Sequence, residues 1–66
     1  MRLRVDLVRY QKNMTLRRLS TLSGVSKSQV ERIEANETNP SILVMCKLAH
    51  ALNVPITDLY TDNNRD

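Results

Sequence analysis

The chain has 66 residues and a single cysteine, so it forms one small domain with no internal disulfide and no room for a deep catalytic cleft. No apolar run approaches the roughly 18 residues of a membrane-spanning helix, which predicts a soluble intracellular protein without a membrane partner. The net charge of +3 is unevenly divided, because residues 1–33 carry eight basic and two acidic side chains, a net +6, whereas residues 34–66 carry a net −3. Such asymmetry is typical of a chain with one half facing a polyanion, and a solvated basic surface is the alternative interpretation.

The apolar spacing and the capping residues predict a succession of helices. The predicted helices span residues 2–12, 16–23, 27–35, 42–52 and 55–60. In the first of them, the alternation of Leu3, Val5 and Leu7 also fits a strand. Pro55 opens the short fifth helix, and residues 61–66 are predicted to be a flexible polar tail.

Start and stop signals frame these helices at regular intervals. Thr15, Ser26 and Ser41 stand where an N-cap is expected, and Ser26 with Gln29 three residues later matches a capping box. Each of the first four helices is followed by a residue that tolerates the left-handed backbone region. These predicted exit residues are Asn13, Gly24, Asn36 and Asn53.

The second and third predicted helices are separated by only three residues, Gly24, Val25 and Ser26. Such a short link forces a sharp crossing, in which Gly24 makes the bend and Val25 points into the core. The pattern is a helix-turn-helix. Val30 and Ile33 share the inner face of the third helix, which leaves polar residues on its outer face.

Helical spacing also predicts the core and one close contact. Ser20 is expected where the second and third helices cross, since a small side chain permits close approach. The predicted core consists of Val5, Val8, Leu19, Val25, Val30, Ile33, Leu48, Ala49, Leu52, Val54 and Leu59.

Several ordered motifs together resemble one family. They are a Thr-capped second helix, the Gly-Val-Ser turn, Val-x-x-Ile-Glu, Asn-Pro-Ser and Leu-Ala-x-x-Leu-x-Val, all within residues 2–60. The chain resembles the Cro/C1 or Xre-type helix-turn-helix family of phage-repressor-like DNA-binding domains. The resemblance implies an all-α, compact five-helix bundle of the lambda-repressor-like type, formed by residues 1–60.

By the same resemblance, the protein is a sequence-specific regulator of transcription that binds double-stranded DNA. Its third helix, about 27–35, enters the major groove, and a homodimer meets a palindromic operator. The resemblance also implies a cytoplasmic, nucleoid-associated protein of prokaryotic or phage type that has no cofactor and is not an enzyme.

The resemblance assigns roles to individual residues. Base-reading positions of the family correspond to Lys27, Ser28, Gln29 and Arg32. Phosphate-contacting positions correspond to Thr15, Arg17, Arg18, Asn36, Thr38 and Asn39. A structural salt bridge is implied between Arg9 and Glu34. The dimer is expected to use the fourth and fifth helices, through some of Leu43, Val44, Ile56 and Tyr60.

Some of these residues have a second interpretation. Lys27 and Glu31, four residues apart, could form a surface ion pair, and Gln29 could act as a helix cap. Where many relatives carry a glutamine just after the second-helix cap, this chain has Leu16, and its loop after the third helix carries Glu37 in place of basic residues. Both departures favour the alternative function, a module that binds a regulatory protein partner, as antitoxins or coactivator-like proteins do.

No residues suggest catalysis or metal binding. Cys46 and His50 are four residues apart, but two ligands fall short of the three or four that a metal site needs. Cys46 is more simply part of the core or a partly buried thiol. The sequence contains no nucleophile with a neighbouring base, no paired carboxylates and no glycine-rich phosphate loop, so we predict neither an enzyme nor a metal site.

Overall fold

The computed structural model describes residues 2–61, so residues 62–66 of the predicted flexible tail lie outside the described residues. Its elements, in chain order, are β1 (Arg2–Leu3), α1 (Val5–Gln11), α2 (Leu16–Ser23), α3 (Lys27–Glu34), α4 (Ile42–Leu52), a 3-10 helix (Ile56–Leu59) and β2 (Tyr60–Thr61). Helix α2 packs against both α3 and α4, and α4 packs against the 3-10 helix. Within this range, none of the helices has the length and apolar content needed to cross a bilayer.

The prediction of an all-α bundle of five helices was wrong at both ends of the chain. Residues 2–3 form a strand that pairs antiparallel with residues 60–61, and the fifth helix is a single 3-10 turn. The Arg4 N–H donates to the Leu59 carbonyl at 2.7 Å, so α1 starts only at Val5. These backbone bonds are formed between distant parts of the chain, and they replace those that a longer first helix would make.

The predicted start signals are confirmed. Each of the three hydroxyls accepts a hydrogen bond from the backbone N–H three residues later. The distances are 3.1 Å at Thr15, 3.2 Å at Ser26 and 3.2 Å at Ser41. The exits are confirmed as well, since the backbone φ angles of the four predicted residues are positive. They are 55° at Asn13, 76° at Gly24, 60° at Asn36 and 58° at Asn53.

Ten of the eleven predicted core residues are buried. The exception is Val54, which is half-buried because it follows the left-handed turn at Asn53 and packs against the rim of the core. Met45 joins the core although it was not predicted, and Arg9 is the buried charged residue of the described chain. The core therefore lies between α1, α2, α3, α4 and the 3-10 helix, which fixes the position of α3.

Candidate nucleic-acid interface

Helix α3 is held to the domain by its inner face. Val30 and Ile33 have no exposed surface, and Ser26 caps the first turn. Full burial of each of these two branched side chains stabilises the packing of α3 on the domain by about 1.5–3 kcal/mol. The remaining face of α3 is consequently presented to solvent in one orientation.

Three of the four predicted base-reading side chains lie on that exposed face, namely Lys27, Ser28 and Arg32. Gln29 is half-buried, and its backbone N–H donates to the Ser26 hydroxyl. Within the described residues, the Gln29 side chain forms no hydrogen bond back to Ser26. The capping box is therefore formed in one direction only.

Glu31 shares the outer face of α3 but forms no ion pair with Lys27. In the described part of the chain, Arg9–Glu34 is the one salt bridge. The ammonium of Lys27 is therefore left available to an external anion.

All six predicted phosphate-contacting residues are exposed. They are Thr15, Arg17 and Arg18 at the start of α2, and Asn36, Thr38 and Asn39 in the loop after α3. The first group surrounds the N-terminus of α2, where unpaired backbone N–H groups and the helix dipole favour an anion. Glu37 is exposed in the second group and opposes that preference. Leu16 packs against the core instead of standing on this surface.

Arg9 and Glu34 are brought together by the packing of α1 on the end of α3. The Arg9 guanidinium donates from Nε to Glu34 Oε2 at 2.8 Å and from Nη2 to Oε1 at 3.0 Å. These hydrogen bonds raise the pKa of Arg9 above its ordinary value. Nη1 donates to the Met14 carbonyl at 3.0 Å, and the guanidinium lies 4.7 Å from the centre of the Tyr10 ring.

The Arg9–Met14 bond was not predicted, and it adds a third element to the pair. Met14 immediately precedes the N-cap of α2, so one side chain on α1 holds both the end of α3 and the approach to α2. No local pattern in the sequence signals this contact, because the acceptor is a backbone carbonyl in a loop.

A second surface lies on the side of α4. An apolar groove of about 400 Å³ is lined by Pro40, Ile42, Met45, Cys46, Ile56 and Tyr60. Two of the four predicted dimer residues, Ile56 and Tyr60, line this groove, and Val44 is half-buried against the core. Leu43 is 65% exposed, and the neighbouring Ile42, which was not among the predicted dimer residues, is 74% exposed.

Cys46 is exposed, so the expectation that it is part of the core or a partly buried thiol was wrong. The buried residues of α4 are Met45, Leu48, Ala49 and Leu52, and one residue further along a helix turns the side chain about 100° away from the buried stripe. Among residues 2–61, no three His, Cys, Asp or Glu side chains lie close enough together to hold a metal ion.

A comparison with protein families matches residues 6–59 to the helix-turn-helix family model. The chain belongs to the helix-turn-helix family. The match runs from the second residue of α1 to the end of the 3-10 helix and includes the turn at Gly24. The predicted resemblance to the Cro/C1 type is confirmed.

Two curated regulators of this family are similar in sequence. The HTH-type transcriptional regulator SutR of Escherichia coli strain K12 is 40% identical over 50 residues, which is 76% of this chain and 28% of SutR. The HTH-type transcriptional regulator SlrR of Bacillus subtilis strain 168 is 37% identical over 57 residues, 85% of this chain and 38% of SlrR. The chain thus spans well under half the length of either regulator.

A solved structure matches over a similar extent of both chains. The restriction-modification controller protein C.AhdI from Aeromonas hydrophila superposes with a TM-score of 0.83 at 32% identity, covering 86% of this chain and 86% of that one. The helix-turn-helix domain here therefore shares its fold with that controller protein.

Proposed function

We propose that this helix-turn-helix domain binds double-stranded DNA in a sequence-specific manner and regulates transcription. The observation that carries the proposal is the orientation of α3: Val30 and Ile33 are fully buried, whereas Lys27, Ser28 and Arg32 are exposed to solvent. A helix of this kind fits the major groove, where lysine and arginine suit the O6 and N7 acceptors of guanine. The similarity to SutR and SlrR, both transcriptional regulators, supports the regulatory role.

The proposed interface divides its labour between two sets of residues. Lys27, Ser28 and Arg32, with Gln29 at their edge, set the sequence preference. The exposed residues that flank α3 set the affinity by contacting phosphates, as helix N-termini and basic side chains do. These flanking residues are Thr15, Arg17, Arg18, Asn36, Thr38 and Asn39.

We further propose that the protein acts as a homodimer on a palindromic operator, with the groove beside α4 as the contact between two copies. Ile42 and Leu43 are large apolar side chains with most of their surface exposed; Ile42 lines the apolar groove, and Leu43 follows it in α4. Covering them with a second copy removes that surface from water. Two α3 helices would then meet successive major grooves about 34 Å apart.

The proposal is tested by selecting binding sites from random duplex DNA and measuring affinity for the selected site and a scrambled duplex at several salt concentrations. We expect affinity for both duplexes to fall steeply with salt, because each neutralised phosphate releases counterions. Lys27→Ala removes an exposed lysine from the proposed DNA-binding face, and Lys47→Ala, the matched control, removes an exposed lysine from α4. Only Lys27→Ala should weaken binding to the selected site.

The alternative, a module for a regulatory protein partner, has a different outcome in the same experiment. Such a module would enrich no DNA sequence and would show little affinity for duplex DNA even at low salt. Equal effects of Lys27→Ala and Lys47→Ala would also contradict the proposed face of α3.

A further inference from the structure

Helix α2 ends with a different hydrogen-bond pattern from α1, α3 and α4. After α1, α3 and α4, the residue that follows the left-handed residue donates its N–H to the carbonyl five positions earlier. These bonds are Met14 to Arg9 at 3.1 Å, Glu37 to Arg32 at 2.9 Å and Val54 to Ala49 at 3.0 Å. The corresponding bond from Val25 to Ser20 is not formed within the described chain.

Serine side chains take the place of that bond. The Val25 N–H donates to the Ser23 hydroxyl at 3.1 Å, and the Ser20 hydroxyl donates to the Val25 carbonyl at 2.7 Å. The Ser23 hydroxyl in turn donates to the Ser20 carbonyl at 3.4 Å. Both backbone polar groups of Val25 are thus satisfied by hydroxyls from the last two turns of α2.

This arrangement suits the position of Val25. The residue is buried, with only 4% of its surface exposed, so its polar backbone groups need partners within the protein. The N-cap of α3, Ser26, is the next residue. The hydrogen bonds at Val25 therefore lie directly before the first turn of α3.

Gly24 does not supply that restraint by itself. It adopts a φ of 76°, and a Cβ built on it meets no atom within 4 Å. The turn is open around the glycine and is held on its other side by the serines. Ser20 was expected at this crossing for its small size, but its hydroxyl is the feature that the structure adds.

We propose that Ser20 and Ser23 form a serine clamp that orients α3 for reading DNA. The inference rests on the proposed function, and the two serines act as positioning residues because they act through α3 without contacting DNA themselves. Loss of the clamp lets α3 sample more orientations relative to the phosphate-contacting groups on α2. Contacts to bases are then weakened more than contacts to phosphates, because bidentate hydrogen bonds from a side chain to a base edge require more exact geometry.

The clamp is tested first in the free protein, by amide hydrogen exchange measured with NMR. In Ser23→Ala, the Val25 amide should exchange about tenfold faster relative to buried amides of α4, the change expected for one lost hydrogen bond. Ser23→Thr keeps a hydroxyl and should retain the protection. Unchanged exchange at Val25 in Ser23→Ala would overturn the clamp whether or not the protein binds DNA.

The second measurement is DNA affinity, taken at a temperature where every variant is folded. Ser20→Ala and Ser23→Ala should each weaken binding to the selected site by about three- to tenfold, while binding to a scrambled duplex stays within about twofold because no charge is lost. Thr57→Ala, which removes an exposed hydroxyl on the 3-10 helix, is the matched control and should change neither affinity.

The two measurements separate a positioning role from a purely structural one. If both variants melt at a lower temperature but bind both duplexes like the wild type, the serines only stabilise the fold and the inference is wrong. If the wild-type protein itself binds no duplex DNA, the proposed function fails together with the positioning role, and the exchange data still report on the hydrogen bonds at Val25.

Discussion

Replacing Arg9 with methionine should destabilise the domain more than any single exposed substitution, because it leaves the Glu34 carboxylate without its partner. The Arg9 and Glu34 side chains are only 10% and 13% exposed, and two charge-assisted hydrogen bonds join them. Methionine resembles the arginine stem in shape, so the change removes the charge with little loss of packing. The Met14 carbonyl also loses its donor.

The expected loss follows from the burial of the pair. Breaking a buried ion pair costs about 3–5 kcal/mol, and the residual exposure of these side chains places the expected loss at the lower end, about 3 kcal/mol. A domain of this length has a total stability of about 3–10 kcal/mol, so Arg9→Met removes a large part of it. Glu34→Met should cost less, about 1–2 kcal/mol, because Arg9 keeps its bond to Met14 and its long stem can reach water.

The double variant decides whether the two residues act as a pair. The double variant still lacks the donor to the Met14 carbonyl, but it leaves no unpaired charge at the site, so it should be more stable than Arg9→Met alone. The coupling energy should be about 1–3 kcal/mol. Urea unfolding followed by far-UV circular dichroism measures all four proteins, with Arg17→Met as an exposed control that should stay within about 0.5 kcal/mol of the wild type. Additive single effects would refute the reasoning.

Four further outcomes are expected. Replacing Arg32 with alanine should weaken binding to the selected operator by about 1–3 kcal/mol and relax the preference at one base pair, whereas Arg17→Ala should weaken binding to all duplexes alike and flatten the salt dependence. Equal losses of affinity for selected and scrambled DNA in Arg32→Ala would contradict the proposed docking of α3. Glu37→Lys should tighten binding to every duplex without changing the selected sequence, because it replaces a charge that repels phosphate, and unchanged affinity in a filter-binding assay would place Glu37 away from DNA. Gly24→Asn should lower the melting temperature less than Gly24→Ala, because the site has free space and asparagine already adopts a positive φ at the other three helix exits. A higher melting temperature for the alanine variant would show that φ does not control this turn. Leu43→Asp should shift sedimentation towards the monomer and leave the circular dichroism spectrum unchanged, because the side chain is mostly exposed within one chain; a dimer of wild-type strength would exclude Leu43 from the contact.

The features predicted best from the sequence are those that depend on neighbouring residues. The caps at Thr15 and Ser26 and the left-handed exit at Gly24 involve backbone groups within one helical turn, so the residue types alone identify them. The burial of Val30 and Ile33 follows from helical periodicity once a helix is established. For the same reason, the exposed face of α3 could be predicted from the sequence.

Contacts between distant parts of the chain could not be predicted in this way. The strand at residues 2–3 exists because residues 60–61 lie beside it, and the local sequence there fits a helix as well. The Arg9–Glu34 pair was expected only from the resemblance to the family, and the bond from Arg9 to the Met14 carbonyl was not expected at all.

The sequence by itself therefore determined where α2 and α4 begin and end, where α3 begins and which face of α3 is buried, because these features depend on periodicity and on residues within one turn. The family followed from the resemblance of its ordered motifs. Only the tertiary structure decided that residues 2–3 pair with residues 60–61 and that an apolar groove lies beside α4. It also decided that Ser20 and Ser23 hold the turn at Val25 through their hydroxyls. The physical reason is that these contacts form between groups whose separation is set by packing, and packing brings together side chains and carbonyls that no local pattern relates.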